Sequence, residues 1–343
     1  MAETTEDPDR RALGFGAATV AYGALLAGFA TIGLATQGRS IVLGLWITEW
    51  LAIALPAIIA LRMANVRVAP YVGFRAPTLR QSGIAVVAGL ANQPVVSLLT
   101  WAARLAVPQD WADAFDAKQR FLETVFSAQA GPFLATVVIA APFGEELFFR
   151  GLAFPAMRRG LGPSDDSAAS ASAAIMTGAM FSLIHLDVVG FLGLWEIGIL
   201  LAVLRLGTGS LWTAVICHAI NNGVAGGAFL LGWEDPANTP PVWLLVLGGI
   251  LLVSGARIAA RVFRTPTGSA PERRKDPSVP AGFYRLRSLE LLAVWLLAVL
   301  IGAGQLLHII PDVPMTAWLA LCAVAAMATL VSGIRVTRAR RAR

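Results

Sequence analysis

Glu145 and Glu146 stand side by side in the run Ala141-Pro142-Phe143-Gly144-Glu145-Glu146-Leu147-Phe148-Phe149-Arg150, inside an apolar stretch long enough to span a bilayer. A charged side chain at that depth costs about 2.5–3.5 kcal/mol on insertion scales, so it faces a wet cavity or a partner and marks a functional site by default. Successive helical positions diverge by about 100°, whereas positions i and i+4 share a face. Glu146 is therefore in register with Arg150. An ion pair between them leaves Glu145 free to face a cavity, where partial desolvation suits a carboxylate to general-base work. The alternative is a carboxylate that only packs, hydrogen-bonded to a neighbouring helix.

Two further helical signatures supply partners. Phe181 and His185 share a face, so the ring can shield and orient an imidazole that shares a water with Glu145. His218 and Asn222 share another, presenting two side-chain donors to one point, as a developing oxyanion requires. Each has a plainer reading: His185 as an interfacial residue, and His218 with Asn222 as an interhelical polar clamp. Asn221 should point elsewhere. Cys217 precedes His218, but adjacent residues diverge on a helix, and a nucleophile must lie within hydrogen-bond reach of its base. It reads as a packing cysteine. His308 lies near a span end without a partner motif and reads as interfacial. Glu49, Glu196, Asn92 and Gln93 are further polar groups in apolar runs, with packing as the default and Glu196 a candidate partner for Arg150.

The elements that must position these groups are membrane helices. Of 343 residues, 57% are hydrophobic and 14% charged, and the mean hydropathy is +0.68. That balance describes an all-α, polytopic membrane helix bundle. Apolar runs of bilayer length lie near Ala12 to Ala35, Ile41 to Leu61, Ser82 to Leu105, Pro132 to Met157 and Ser167 to Leu186. Further runs lie near Val188 to Leu204, Ser210 to Leu231, Pro241 to Val262, Leu289 to Ile310 and Thr316 to Ile334, for about 10 spans in all. The first run lacks a cleavage site and reads as a retained span.

With both termini cytoplasmic and Arg150 left out as intramembrane, 22 Lys and Arg fall on the cytoplasmic side and 4 on the other. This is the positive-inside pattern of a multi-pass cell-membrane protein. It accounts for the net charge of +6 without a nucleic-acid partner. Gln109 to Glu123 mixes aromatic and charged residues at helical spacing and reads as an interfacial helix. Thr265 to Arg287 reads as a basic cytoplasmic loop. Cys217 and Cys322 imply no disulfide framework. The chain thus divides into N-terminal helices with the interfacial segment over 1–131, a core over 132–232, and C-terminal helices with basic loop and tail over 233–343.

The three signatures, in this order on separate spans, resemble the CPBP intramembrane proteases, which include the CAAX prenyl endopeptidases of the Ras-converting-enzyme type. The resemblance covers roughly Pro132 to Leu231 and includes the run Arg205-Leu206-Gly207-Thr208-Gly209-Ser210-Leu211-Trp212. It implies a glutamate-dependent intramembrane endopeptidase; the motifs do not carry over its substrate, for which a membrane-associated protein or peptide, CAAX-like or lipid-modified among the options, is the expectation. Carried over position by position, Glu145 would be the general base, His185 would bind and orient the water, and His218 with Asn222 would stabilise the oxyanion. Glu146, Arg150 and Phe181 would support them.

No cofactor is needed for this chemistry, because a carboxylate can take a proton from water and pass it to the leaving amine. A zinc site built from two histidines and a glutamate is the competing mechanism, although H-E-x-x-H is absent. A catalytically silent scaffold or bacteriocin-immunity factor, and a secondary transporter with a proton relay, are the competing functions. Counted along straight helices from the cytoplasm, His218 lies shallower than Glu145 and His185 deeper. Tilt, a later start of the fifth span or a broken segment must bring them level.

Overall fold

The computed structural model describes residues 13–64, 66–161, 166–231 and 240–265. The expected basic loop beyond Thr265, the last two expected spans, His308 and Cys322 lie outside these residues. Among the described residues the chain is helical throughout and has no strand.

In chain order the helices are α1 Phe15–Gln37, α2 Ile41–Met63, α3 Val68–Val72, α4 Leu79–Ala106, α5 Gln109–Ala135, α6 Ala141–Glu146, α7 Phe154–Leu161, α8 Ser167–Leu183, α9 Phe191–Thr208, α10 Leu211–Leu230 and α11 Val242–Arg264. Six segments are long and apolar enough to cross a membrane: α1, α2, α4, α9, α11 and the composite stretch Ala128–Leu161 that runs from the end of α5 through α6 and α7. The expected interfacial helix is the first part of α5, which then bends at Gln129, where φ is −139° and ψ 44°.

The fifth expected span is corrected at its end. Instead of running to Leu186, α8 stops at Leu183 after 17 residues, and His185 sits in the turn that follows. The Asp166 side chain caps the start of α8 by accepting from the Ala168 and Ala169 amides. At the other end a tight turn reverses the chain into α9. Leu186 there adopts φ of 49°, rare for a residue with a Cβ, and Asp187 Oδ1 accepts from the Gly190 amide at 2.7 Å.

Four π-helical stretches interrupt the α register: Phe29–Gly33, Thr48–Ala54, Thr136–Ala140 and Leu147–Ala153. The last two flank α6, so the two glutamates occupy a short α-helical step between two changes of register. π-Helical turns are rare and concentrate at functional sites. Here they break the straight-helix depth count, and with the early end of α8 they bring Glu145, His185 and His218 level.

Small residues let the surrounding helices close in, as membrane bundles require. A Cβ on Gly198 of α9 would lie 2.6 Å from Gly178 Cα of α8, so these helices cross almost backbone to backbone. The start of α10 is fixed by the loop after α3, where Leu211 N donates to Gly73 O at 2.8 Å. Arg205 Nε donates to Val72 O at 3.1 Å and Arg75 Nη2 to Thr208 O at 2.6 Å. The run from Arg205 to Trp212 thus docks on the loop and sets the height at which α10 carries His218.

Candidate active site

Glu145 faces two imidazoles. Its Oε1 lies 3.9 Å from His185 Nε2 and its Oε2 lies 3.7 Å from His218 Nε2. These separations exceed a direct hydrogen bond and invite one bridging water. The Glu145 side chain is 7% exposed and that of His185 29%, so the site opens on the His185 side. A cleft beside it is lined by Trp111, Phe115 and Lys118 of α5 together with Leu186, Asp187 and Val188 of the turn. Lys118 Nζ pairs with Asp187 Oδ2 at 2.9 Å and ties the two sides together.

His185 owes its orientation to the end of α8. Its Nδ1 lies 2.9 Å from Phe181 O, a carbonyl that can only accept, so Nδ1 carries the hydrogen. In the neutral ring this leaves the Nε2 lone pair turned toward Glu145. Such a ring can accept one hydrogen of a water whose other hydrogen goes to the carboxylate.

Glu146 is fully buried and has two partners. Its Oε1 accepts from Arg150 Nη1 at 2.8 Å and from His218 Nδ1 at 3.0 Å. Arg150, also fully buried, donates through Nη2 to Gly198 O at 2.8 Å, and its guanidinium lies 4.8 Å from the Phe181 ring centroid. The cation therefore has a carboxylate, a carbonyl and a π face around it, as a charge in this setting needs. Glu196, weighed as a partner for Arg150, is not the one it takes. Phe181 also meets both imidazoles, with its centroid 4.9 Å from that of His185 and 5.6 Å from that of His218, the latter edge-on.

Asn222 Nδ2 donates to Val137 O in the π-helical stretch Thr136–Ala140, at 2.8 Å. An amide has two hydrogens to donate, so one remains for a ligand. Asn221 does point elsewhere. Its Oδ1 accepts from Asn92 Nδ2 at 3.2 Å and from Gln93 Nε2 at 2.9 Å, and its backbone carbonyl accepts from Gln93 as well. Helix α4 thus clamps α10 through Asn221, beside the face that carries His218 and Asn222, giving Asn92 and Gln93 a positioning role that the sequence left open. Cys217 is free and buried.

Glu49 is the group whose relation to the site the sequence did not reveal. It is 5% exposed and lies in the π-helical stretch Thr48–Ala54 of α2. A Cβ on Gly144 would come within 3.0 Å of its Oε2, which sets the carboxyl against the residue preceding Glu145. A lone acid in an apolar run was the only signal available for it.

Among the described residues, no group of three or more His, Cys, Asp and Glu side chains is placed to hold a metal ion. His218 Nδ1 and Glu146 Oε1 are committed to each other. Glu145, His185, His218 and Asn222 all fall within residues 127–224, which match the family model described as type II CAAX prenyl endopeptidase Rce1-like. The Rce1-like family is a protease family, and the matched residues contain the composite stretch through α6 and α7, then α8 and α9, and most of α10. Comparison of the chain with curated proteins and with solved structures found no match.

Proposed function

We propose that this protein is an intramembrane endopeptidase of the glutamic type, acting on membrane-associated peptides with a prenylated CAAX-like C-terminus. The single observation that carries the reading is the pair of 3.7 and 3.9 Å separations between Glu145 and the two imidazole Nε2 atoms. They set the Glu145 carboxylate between His185 on one oxygen and His218 on the other, each beyond direct hydrogen-bond reach, as a base with one water-orienting ring and one oxyanion donor requires.

Glu145 takes a proton from the water as its oxygen adds to the scissile carbonyl carbon, and returns that proton to the nitrogen as the C–N bond breaks. His185 Nε2 holds the second hydrogen of the water and fixes its lone pair toward the carbon. His218 with both ring nitrogens protonated donates through Nε2 to the oxyanion, and Glu146 accepting from Nδ1 supports that charged ring. The free hydrogen of the Asn222 amide is the second oxyanion donor.

The reading is metal-free, because a carboxylate suffices to take the proton from water and return it to the leaving nitrogen. It also takes the protein as a cell-membrane enzyme with both termini in the cytoplasm, on the charge distribution of the loops. The direct experiment measures cleavage of an internally quenched, farnesylated CAAX peptide by the purified protein in detergent. Wild-type protein cleaves it and folded Glu145→Gln protein does not. Equal rates from the two would end the proposal.

A further inference from the structure

Glu49 has no part in the mechanism above, yet its carboxyl lies against Gly144, beside the base. Glu49 Oε2 and Glu145 Oε2 are both buried, and neither has a hydrogen-bond partner among the described residues. Arg150 is taken, since it gives Nη1 to Glu146 and Nη2 to Gly198 O, and the charged His218 of the mechanism above stands against Glu145, 3.7 Å from its Oε2.

The elements packed against Thr48–Ala54 bring no substitute. They carry Tyr22 on α1, Glu145 and Glu146 on α6, Arg150, and Arg62 near the end of α2. The Tyr22 hydroxyl donates to Met180 O, and Arg62 lies about three and a half turns along the helix from Glu49. Two neighbouring carboxylates in a low-dielectric site do not both ionise when the available cation is committed elsewhere. Glu145 has imidazoles and the Arg150 field beside it, whereas Glu49 has the bare Cα of Gly144. The absence of a side chain there makes the room.

We propose that Glu49 is a positioning residue that holds a proton beside Glu145, so that the two carboxyl groups share one negative charge and Glu145 carries it. The proposal rests on the reading of Glu145 as the base. Through the cycle the proton that water gives up passes to Glu145 and on to the leaving nitrogen, and Glu49 keeps its own. Should Glu49 ionise at higher pH, a second negative charge would stand beside the forming oxyanion and slow the reaction. Activity therefore declines on the alkaline side, and the two ionisations belong to the pair.

The test uses full-length protein in detergent and two readouts. The first is the infrared carbonyl stretch of protonated carboxylic acids, followed against pH in wild-type, Glu49→Gln, Glu49→Asp and Glu145→Gln proteins. The wild-type spectrum contains a protonated-carboxyl band at neutral pH that Glu49→Gln lacks and Glu49→Asp restores. The second is the pH profile of kcat/KM on the farnesylated CAAX peptide. Where the wild-type rate has fallen about tenfold on the alkaline limb, Glu49→Gln has fallen less, its remaining decline being the loss of the oxyanion-binding proton of His218, with KM and acidic limb unchanged. A Glu49→Gln protein with the wild-type band overturns the proposal, whatever its stability. An active Glu145→Gln protein would instead remove the assignment of the base, while the infrared result still reports on Glu49.

Discussion

His218 donates through Nδ1 to Glu146 Oε1 at 3.0 Å, the same oxygen that accepts from Arg150 at 2.8 Å. Glu146 therefore joins two helices. It neutralises a buried guanidinium on its own segment and fixes an imidazole on α10, so that the other ring nitrogen is aimed at Glu145.

Removing Glu146 should harm folding and chemistry together. Glu146→Ala leaves Arg150 as a fully buried charge without its carboxylate, a change that costs about 3–5 kcal/mol. Glu146→Gln still offers an oxygen to both donors and should be milder. Thermal unfolding in detergent should rank the stabilities wild type, Glu146→Gln, Glu146→Ala. The Gln variant should lose kcat with little change in KM, because a neutral partner no longer supports a protonated His218. Equal kcat in Glu146→Gln and wild type would show that His218 does not need the charge.

The i, i+4 relations were legible in the sequence because a helix fixes them locally: Glu146 with Arg150, and Phe181 with His185, are in contact. The spans were legible through hydropathy in that each of the eight expected runs within the described residues holds a helix, although only six segments there are long and apolar enough to cross a membrane. Contacts between helices were not. The Glu146 to His218 bond and the Asn221 clamp depend on crossing angles and depth, which no period along one helix encodes. The π-helical stretches hid for a related reason, since an i→i+5 turn shifts every later residue relative to a straight count. The end of α8 was masked by Leu186, Val188 and Val189, which prolong the apolar run past the turn. Only Asp187 and Gly190 marked it.

The proximity of α8 and α9 gives a second prediction. Gly198 supplies the carbonyl for Arg150 and meets Gly178 backbone to backbone, with 2.6 Å between a built Cβ and Gly178 Cα. Gly198→Ala must push the helices apart, because backbone cannot move aside as a flexible side chain can. Overpacking of this kind costs about 1–3 kcal/mol. The expected result is a lower unfolding temperature together with reduced activity. Gly255→Ala has open space around its site and should leave both unchanged, which makes it the control.

Metal dependence separates the two hydrolytic mechanisms. If Glu145 alone activates water, prolonged chelation followed by removal of the chelator leaves the cleavage rate of the farnesylated peptide unchanged, and added Zn²⁺ does not raise it. A zinc enzyme loses its rate on chelation and regains it with the metal. Metal analysis of the active protein, read beside the rate, distinguishes loss of a bound ion from inhibition by the chelator itself.

Adjacent asparagines should behave in opposite ways. Asn221 is bound by Asn92 and Gln93 of α4, so its work is to hold α10 against α4. Interhelical side-chain hydrogen bonds in membranes contribute about 0.6 kcal/mol on average and up to about 1.7. Asn221→Ala should therefore lower stability by an amount in that range while retaining most of kcat. Asn222 donates one hydrogen to Val137 O at 2.8 Å and has the other left for the oxyanion. Asn222→Ala should lower kcat by about 10²–10³, the cost of one oxyanion donor. Asn222→Asp should not restore it, because an ionised carboxylate has no hydrogen to give. A pair of variants with the reverse pattern, stable and slow for Asn221→Ala but unstable and fast for Asn222→Ala, would exchange the roles and place the oxyanion on the α4 side of α10.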